Sequence, residues 1–68
     1  MTPIEKADEL YWRYYQLVAD SSHPENLARE LALIAVLETL KAAFYAKDEV
    51  YNFYIEVKIQ LENYDVKR

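Results

Sequence analysis

The residues best suited to nucleophilic or metal chemistry are grouped in one short polar segment. Ser21, Ser22 and His23 are adjacent and are followed by Pro24. A catalytic serine needs a base held within hydrogen-bonding distance, and a metal site needs several ligands that converge. The chain has one histidine and no cysteine, and this segment has the composition of a turn. We therefore expect a non-catalytic chain with no metal ligand and no cofactor.

Aromatic and basic residues form a second candidate set, for which two interpretations are open. Trp12, Arg13, Tyr51 and Lys58 could stack on the bases of a nucleotide and neutralise its phosphates, in a site formed between subunits. Tryptophan, tyrosine and arginine are also enriched at protein interfaces, and an interface needs no pocket. We favour the interface, because ligand pockets typically need about 300 Å³ or more and three short helices enclose little space.

Glu38 is the one charged residue placed inside an apolar stripe. It could be a buried carboxylate that pairs with a cation on a neighbouring helix, or an exposed side chain at a helix crossing. An unpaired buried charge costs several kcal/mol, so we expect the exposed arrangement.

Composition limits the elements that position these residues. Hydrophobic residues form 53% of the 68 residues, which is too apolar for a disordered chain, and the absence of glycine disfavours hairpins and phosphate-binding loops. The net charge of −4 opposes binding to nucleic acid. No apolar run approaches the roughly 20 residues of a membrane span, and the first residues do not resemble a signal peptide. We expect an all-α, cytoplasmic protein that binds neither nucleic acid nor membrane.

Three helices are predicted, at about residues 3–20, 24–46 and 48–64, in a single domain of residues 1–68. Thr2 and Glu5 have the spacing of a capping box around Pro3, which favours a helix start there. Ser22 and Glu25 have the same spacing before the second helix. The helices should form a small antiparallel unit with the second helix at its centre.

The apolar residues of the predicted helices exceed what one core needs. The second helix has two apolar stripes, and we assign the first to the core; it comprises Leu27, Leu31, Ile34, Ala35, Ala42 and Tyr45. The second stripe comprises Leu33, Val36, Leu37, Leu40 and Phe44. The third helix adds a ridge at Ile55 and Ile59, opposite its core stripe. A helix that is apolar nearly all round must be covered on most sides, so we predict a homodimer or higher oligomer joined through Leu33, Leu37, Phe44, Ile55 and Ile59.

Three segments resemble a group of short helical proteins encoded by bacteriophages and prophages. They are Lys-Ala-Asp-Glu-Leu at residues 6–10, Ala-Leu-Ile-Ala-Val at residues 32–36 and Tyr-Ile-Glu-Val-Lys at residues 54–58. The chain departs from the group at Leu37, Ile55 and Ile59, where the pattern typically has polar residues. All three departures add apolar surface and therefore favour an additional contact.

The resemblance and the surplus apolar surface together predict a phage-type accessory protein that binds a host or phage protein in the host cytoplasm. The alternative is an anti-defence protein that sequesters a nucleotide signal between its subunits.

Overall fold

Three α-helices make up most of the structure, a computed structural model that describes residues 1–45 and 49–64. They are α1 (Pro3–Val18), α2 (Pro24–Ala43) and α3 (Glu49–Glu62), and each packs against the other two. Residues 19–23 join α1 to α2, and residues 44–48 separate α2 from α3. Connections this short between packed helices make consecutive helices antiparallel. The predicted all-α class is confirmed, whereas oligomerisation stays a prediction.

The helices end earlier than their apolar patterns predict. α1 ends at Val18 rather than residue 20, because Ser21 donates both its N–H and its hydroxyl to the Val18 carbonyl, at 3.0 and 2.8 Å. α3 ends at Glu62 rather than residue 64. α2 ends at Ala43. The predicted end of the second helix, residue 46, and the predicted start of the third helix, residue 48, lie outside the described residues.

The start of α1 is fixed by the predicted capping box. The Glu5 N–H donates to Thr2 Oγ1 at 3.2 Å, and the Thr2 N–H donates to Glu5 Oε1 at 2.8 Å. These hydrogen bonds lower the pKa of Glu5, and the one from the Thr2 backbone has the largest effect. The capping box predicted at Ser22 and Glu25 is wrong in position. His23 directly precedes α2, and Pro24 lies in the first turn of α2. Ser22 lies one residue too early, because Pro24 sets the helix start.

Among the described residues, the core is formed by one buried face from each helix. α1 contributes Ala7, Leu10 and Tyr11, α2 contributes Ala28, Ala32, Val36 and Leu40, and α3 contributes Val57 and Leu61. The buried residues of α2 recur at every fourth position, and the first two, Ala28 and Ala32, are alanines. Small side chains let helix backbones approach closely, so this face lies against both neighbours.

The buried face of α2 differs from the stripe assigned to the core. Val36 and Leu40 belong to the second stripe but are buried, whereas Leu27, Ile34 and Tyr45 belong to the first stripe and are exposed. Both stripes are apolar, so apolar periodicity alone does not choose between them. The buried face also includes Ala28 and Ala32, which belong to neither stripe, and small side chains there allow the neighbouring helices to approach closely.

Candidate protein-binding surface

An open groove runs along the second half of α2 to the start of α3. Its volume of about 720 Å³ exceeds the little space expected between three short helices, and its lining is mainly apolar and aromatic. The residues that line it, called the α2 groove below, are Ile34, Leu37, Glu38, Leu40, Lys41, Phe44, Tyr45 and Tyr51. Seven of these come from α2 and the turn that follows it, so the orientation of α2 positions the site.

Aromatic rings form one end of the α2 groove. Phe44 follows the last residue of α2 and keeps a helical backbone conformation, with φ −55° and ψ −44°. Its ring lies edge-on to Tyr45, with centroids 5.3 Å apart, and to Tyr51, with centroids 6.5 Å apart. The Tyr51 ring links this end to α3. Edge-to-face aromatic contacts hold such rings in a defined orientation.

Glu38 and Lys41 bring one negative and one positive charge to the wall of the α2 groove. Both side chains are exposed. The expected exposed arrangement of Glu38 is therefore confirmed. An apolar lining bordered by a few polar groups is a composition that protein-binding surfaces share with small-molecule pockets.

The structure divides the five predicted interface residues between two environments. Leu37 and Phe44 line the α2 groove and are 44% and 45% exposed, and Ile59 is 42% exposed on α3. Leu33 and Ile55 are half-buried and pack against the core. Sequence reasoning did not include Ile34 and Tyr45, which line the groove. No spacing signal singles out Ile34, because Leu33 and Leu40 have the same seven-residue spacing and lie against or in the core.

Of the four residues of the predicted nucleotide site, Trp12 and Arg13 are neighbours on α1, whereas Tyr51 and Lys58 lie on α3. Tyr51 lines the α2 groove, whereas Arg13 lines a second cavity of about 190 Å³ between α1, α2 and α3. Arg13 lies 3.9 Å from a Glu9 carboxylate oxygen, and Lys58 Nζ lies 2.9 Å from Glu62 Oε2.

Trp12, the fourth residue, contacts aromatic neighbours of its own chain. Its ring lies 5.0 Å from both Tyr11 and Tyr15, and the Tyr11 ring stacks on Tyr64 at 4.5 Å. These four rings are called the aromatic cluster below. Trp12 remains 39% exposed beside these rings.

The Tyr64 hydroxyl donates a hydrogen bond to the Asp8 carboxylate beside the aromatic cluster. Burial, followed by this hydrogen bond and the negative charge of Asp8, raises the pKa of Tyr64 to about 12. A hydrogen bond from Trp12 acts in the opposite direction. The hydrogen bond and the ring stack together hold Tyr64 against α1.

Residues 1–45 and 49–64 contain no helix that is both long and apolar enough to cross a membrane. Within the same residues there is no group of three or more histidine, cysteine or acidic side chains placed to hold a metal ion. Comparisons with protein-family models, with curated proteins and with solved structures found no match to this chain.

Proposed function

We propose that this chain is a non-catalytic protein-interaction module that binds a helix of another polypeptide in the α2 groove. The observation that carries the proposal is the exposure of large apolar side chains along one wall: Ile34 is 55% exposed, Leu37 44% and Phe44 45%. Contiguous apolar residues left in water favour association, because covering them releases the surrounding solvent.

A helix is the ligand that suits this groove. The groove follows α2, and an amphipathic helix laid along another helix places its apolar side chains at every third or fourth position into such a surface. The charges of Glu38 and Lys41 at the wall would pair with charges at the edge of the bound helix and set its direction.

The biological role that we propose is that of a phage-type accessory protein, acting in the host cytoplasm on a host or phage protein. The resemblance of residues 6–10, 32–36 and 54–58 to short phage-encoded proteins supports this role. Such a protein would act by occupying its target rather than by changing it chemically.

Affinity capture from bacterial lysate tests the proposal with two matched variants. Leu37→Glu places a charge in the α2 groove, and Leu17→Glu places the same charge at a side chain of α1 that is 75% exposed. We expect the wild-type chain and Leu17→Glu to retain the same protein and Leu37→Glu to lose it, with all three helical by circular dichroism. The retained protein is then purified, and its binding is measured by calorimetry. Equal retention by the two variants would contradict the proposal.

The nucleotide alternative is tested separately by thermal-shift titration with cyclic and linear nucleotides. A protein-binding module should show no shift with any of them. A shift that disappears in Trp12→Ala and Lys58→Ala would favour the alternative.

A further inference from the structure

The exposed face of α2 has the residue spacing of a coiled-coil seam. Six residues of this face are spaced alternately by three and four positions and are called the α2 seam below. They are Leu27, Glu30, Ile34, Leu37, Lys41 and Phe44. All six are exposed. This spacing is that of the a and d positions of a heptad, at which two helices meet. The buried face, which includes Ala32 and Val36, is occupied within the chain.

The α2 seam is self-complementary when it is read in the opposite direction. Its order is apolar, acidic, apolar, apolar, basic, apolar, with the midpoint between Ala35 and Val36. In an antiparallel helix pair each a position meets a d position of the other helix. Leu27 would meet the partner's Phe44, and Ile34 would meet the partner's Leu37.

The two charges of the α2 seam obey the same symmetry. Glu30 would meet the partner's Lys41, and a two-fold axis repeats that pair on the other side. A parallel pair would instead place Glu30 against the partner's Glu30, and Lys41 against the partner's Lys41. Like charges brought together at an interface disfavour the complex, so the charges select the antiparallel direction.

We propose that the helix bound in the α2 groove is α2 of a second copy of this chain, in an antiparallel two-fold dimer. This inference rests on the proposed function, since it names an occupant for the same surface. The first half of the partner's α2 lies in the groove, where the partner's Leu27 reaches the aromatic end formed by Phe44 and Tyr51. Any other protein that binds the groove then competes with the second copy.

The interface is isologous, so each contact occurs twice. It differs from the interface predicted by the apolar stripes. Leu37 and Phe44 remain in it, Leu27 and Ile34 join it, and Leu33 is left at its edge. A chain of this size has a thin margin of stability by itself, and closing the seam supplies additional buried apolar surface.

Charge reversal on the α2 seam tests the pairing directly. Glu30→Lys and Lys41→Glu each replace two attractive pairs per dimer by two repulsive pairs. We expect the wild-type chain to have twice its 8.1 kDa mass by light scattering. Each variant alone should dissociate about ten- to a hundredfold more readily.

Mixing the two charge variants should restore the dimer. The Glu30→Lys chain then has lysine at both seam positions, and the Lys41→Glu chain has glutamate at both, so each lysine faces a glutamate. Glu56→Lys is the matched control, since it makes the same charge change at an exposed position of α3. It should leave the dimer unchanged. A wild-type chain that is monomeric throughout a concentration series, or a dimer indifferent to both seam variants, would overturn the proposal.

Cross-linking determines the direction of the two helices. The chain has no cysteine, so Leu27→Cys and Phe44→Cys each introduce a single thiol. We expect a disulfide in a mixture of the two variants and little in either alone, because positions 27 and 44 of one helix lie about 25 Å apart. Cross-linking of each variant with itself would indicate a parallel pair and overturn the proposal.

These outcomes separate the dimer from the proposed binding function. A monomer that still captures a protein through Leu37 leaves the binding function intact and removes the dimer. A dimer that passes the charge and cross-linking tests but retains no other protein supports the self-pairing and contradicts the accessory role.

Discussion

At the scale of single residues, Tyr64 shows how a residue beyond the last helix holds the molecule together. Its ring stacks on Tyr11 of α1, and its hydroxyl donates to the Asp8 carboxylate. Tyr11 is fully buried, so Tyr64 covers the outer side of a core residue. The contact joins the end of the described chain to its first helix.

Tyr64→Phe should keep the ring stack and lose only the hydrogen bond. We expect the free energy of unfolding at neutral pH to fall by about 1 kcal/mol, the usual net value of one hydrogen bond. Tyr45→Phe removes the same atom from a side chain that is 93% exposed and should change little. Denaturant titration of both variants measures the difference, and equal effects would contradict the role given to the Tyr64 hydroxyl.

The raised pKa of Tyr64 also sets the pH range in which this contribution is lost. The folded chain holds the phenol protonated up to about pH 12, whereas in the unfolded chain it ionises near its ordinary value of 10.0. The stabilising contribution is therefore complete below about pH 10 and is lost as the pH rises to about 12. The difference in unfolding free energy between wild type and Tyr64→Phe should shrink over that range. A difference independent of pH would contradict this prediction.

At the scale of elements, α2 has two opposite faces, one buried in the core and one exposed. The face that contains Ala28 and Ala32 packs within the chain, and the face that contains Ile34 and Leu37 lines the α2 groove. Both alanines are fully buried, so the neighbouring helices lie close to the α2 backbone there. A larger side chain at either position would push the helices apart.

Ala32→Leu should lower the free energy of unfolding by about 1 to 3 kcal/mol, because a close-packed site has no room for three more carbon atoms. Ala42→Leu is the control, since it makes the same change at an exposed position of the same helix. Thermal unfolding followed by circular dichroism compares the two variants. A loss of stability in Ala42→Leu as large as that in Ala32→Leu would contradict the assignment of the buried face.

At the scale of the whole molecule, a small core makes stability sensitive to single changes. The largest fully buried side chains among the described residues are Tyr11, Val36, Val57 and Leu61. In a chain of this size the core rarely supplies more than about 3 to 5 kcal/mol. One cavity in the core is therefore comparable to the entire margin.

Leu61→Ala should abolish cooperative folding of the chain, because replacing a buried leucine by alanine costs about 2 to 5 kcal/mol. Leu17→Ala makes the same substitution at a side chain that is 75% exposed and should leave the thermal transition in place. Near-ultraviolet circular dichroism and thermal melts distinguish folded from unfolded chains. A folded Leu61→Ala variant with an unchanged midpoint would show that stability comes from outside this core.

The sequence by itself determined the helical class, the three segments and the start of the first helix. Those features depend on local interactions: the Thr2 hydroxyl and the Glu5 carboxylate reach the backbone of their own first turn. Apolar periodicity also indicated that α2 has more apolar surface than one core requires. Of the second stripe, Leu37 and Phe44 are exposed, whereas Val36 and Leu40 are buried.

Only the tertiary structure decided which face of α2 is buried and which lines the groove. Two apolar stripes are equally good candidates when they are judged by periodicity, and the buried face combines Val36 and Leu40 of the second stripe with Ala28 and Ala32, which belong to neither. The contact of Tyr64 with Tyr11 and Asp8 was decided in the same way, since it joins residues from opposite ends of the chain. Distances between packed helices determine such contacts, and residue spacing along one helix does not contain them.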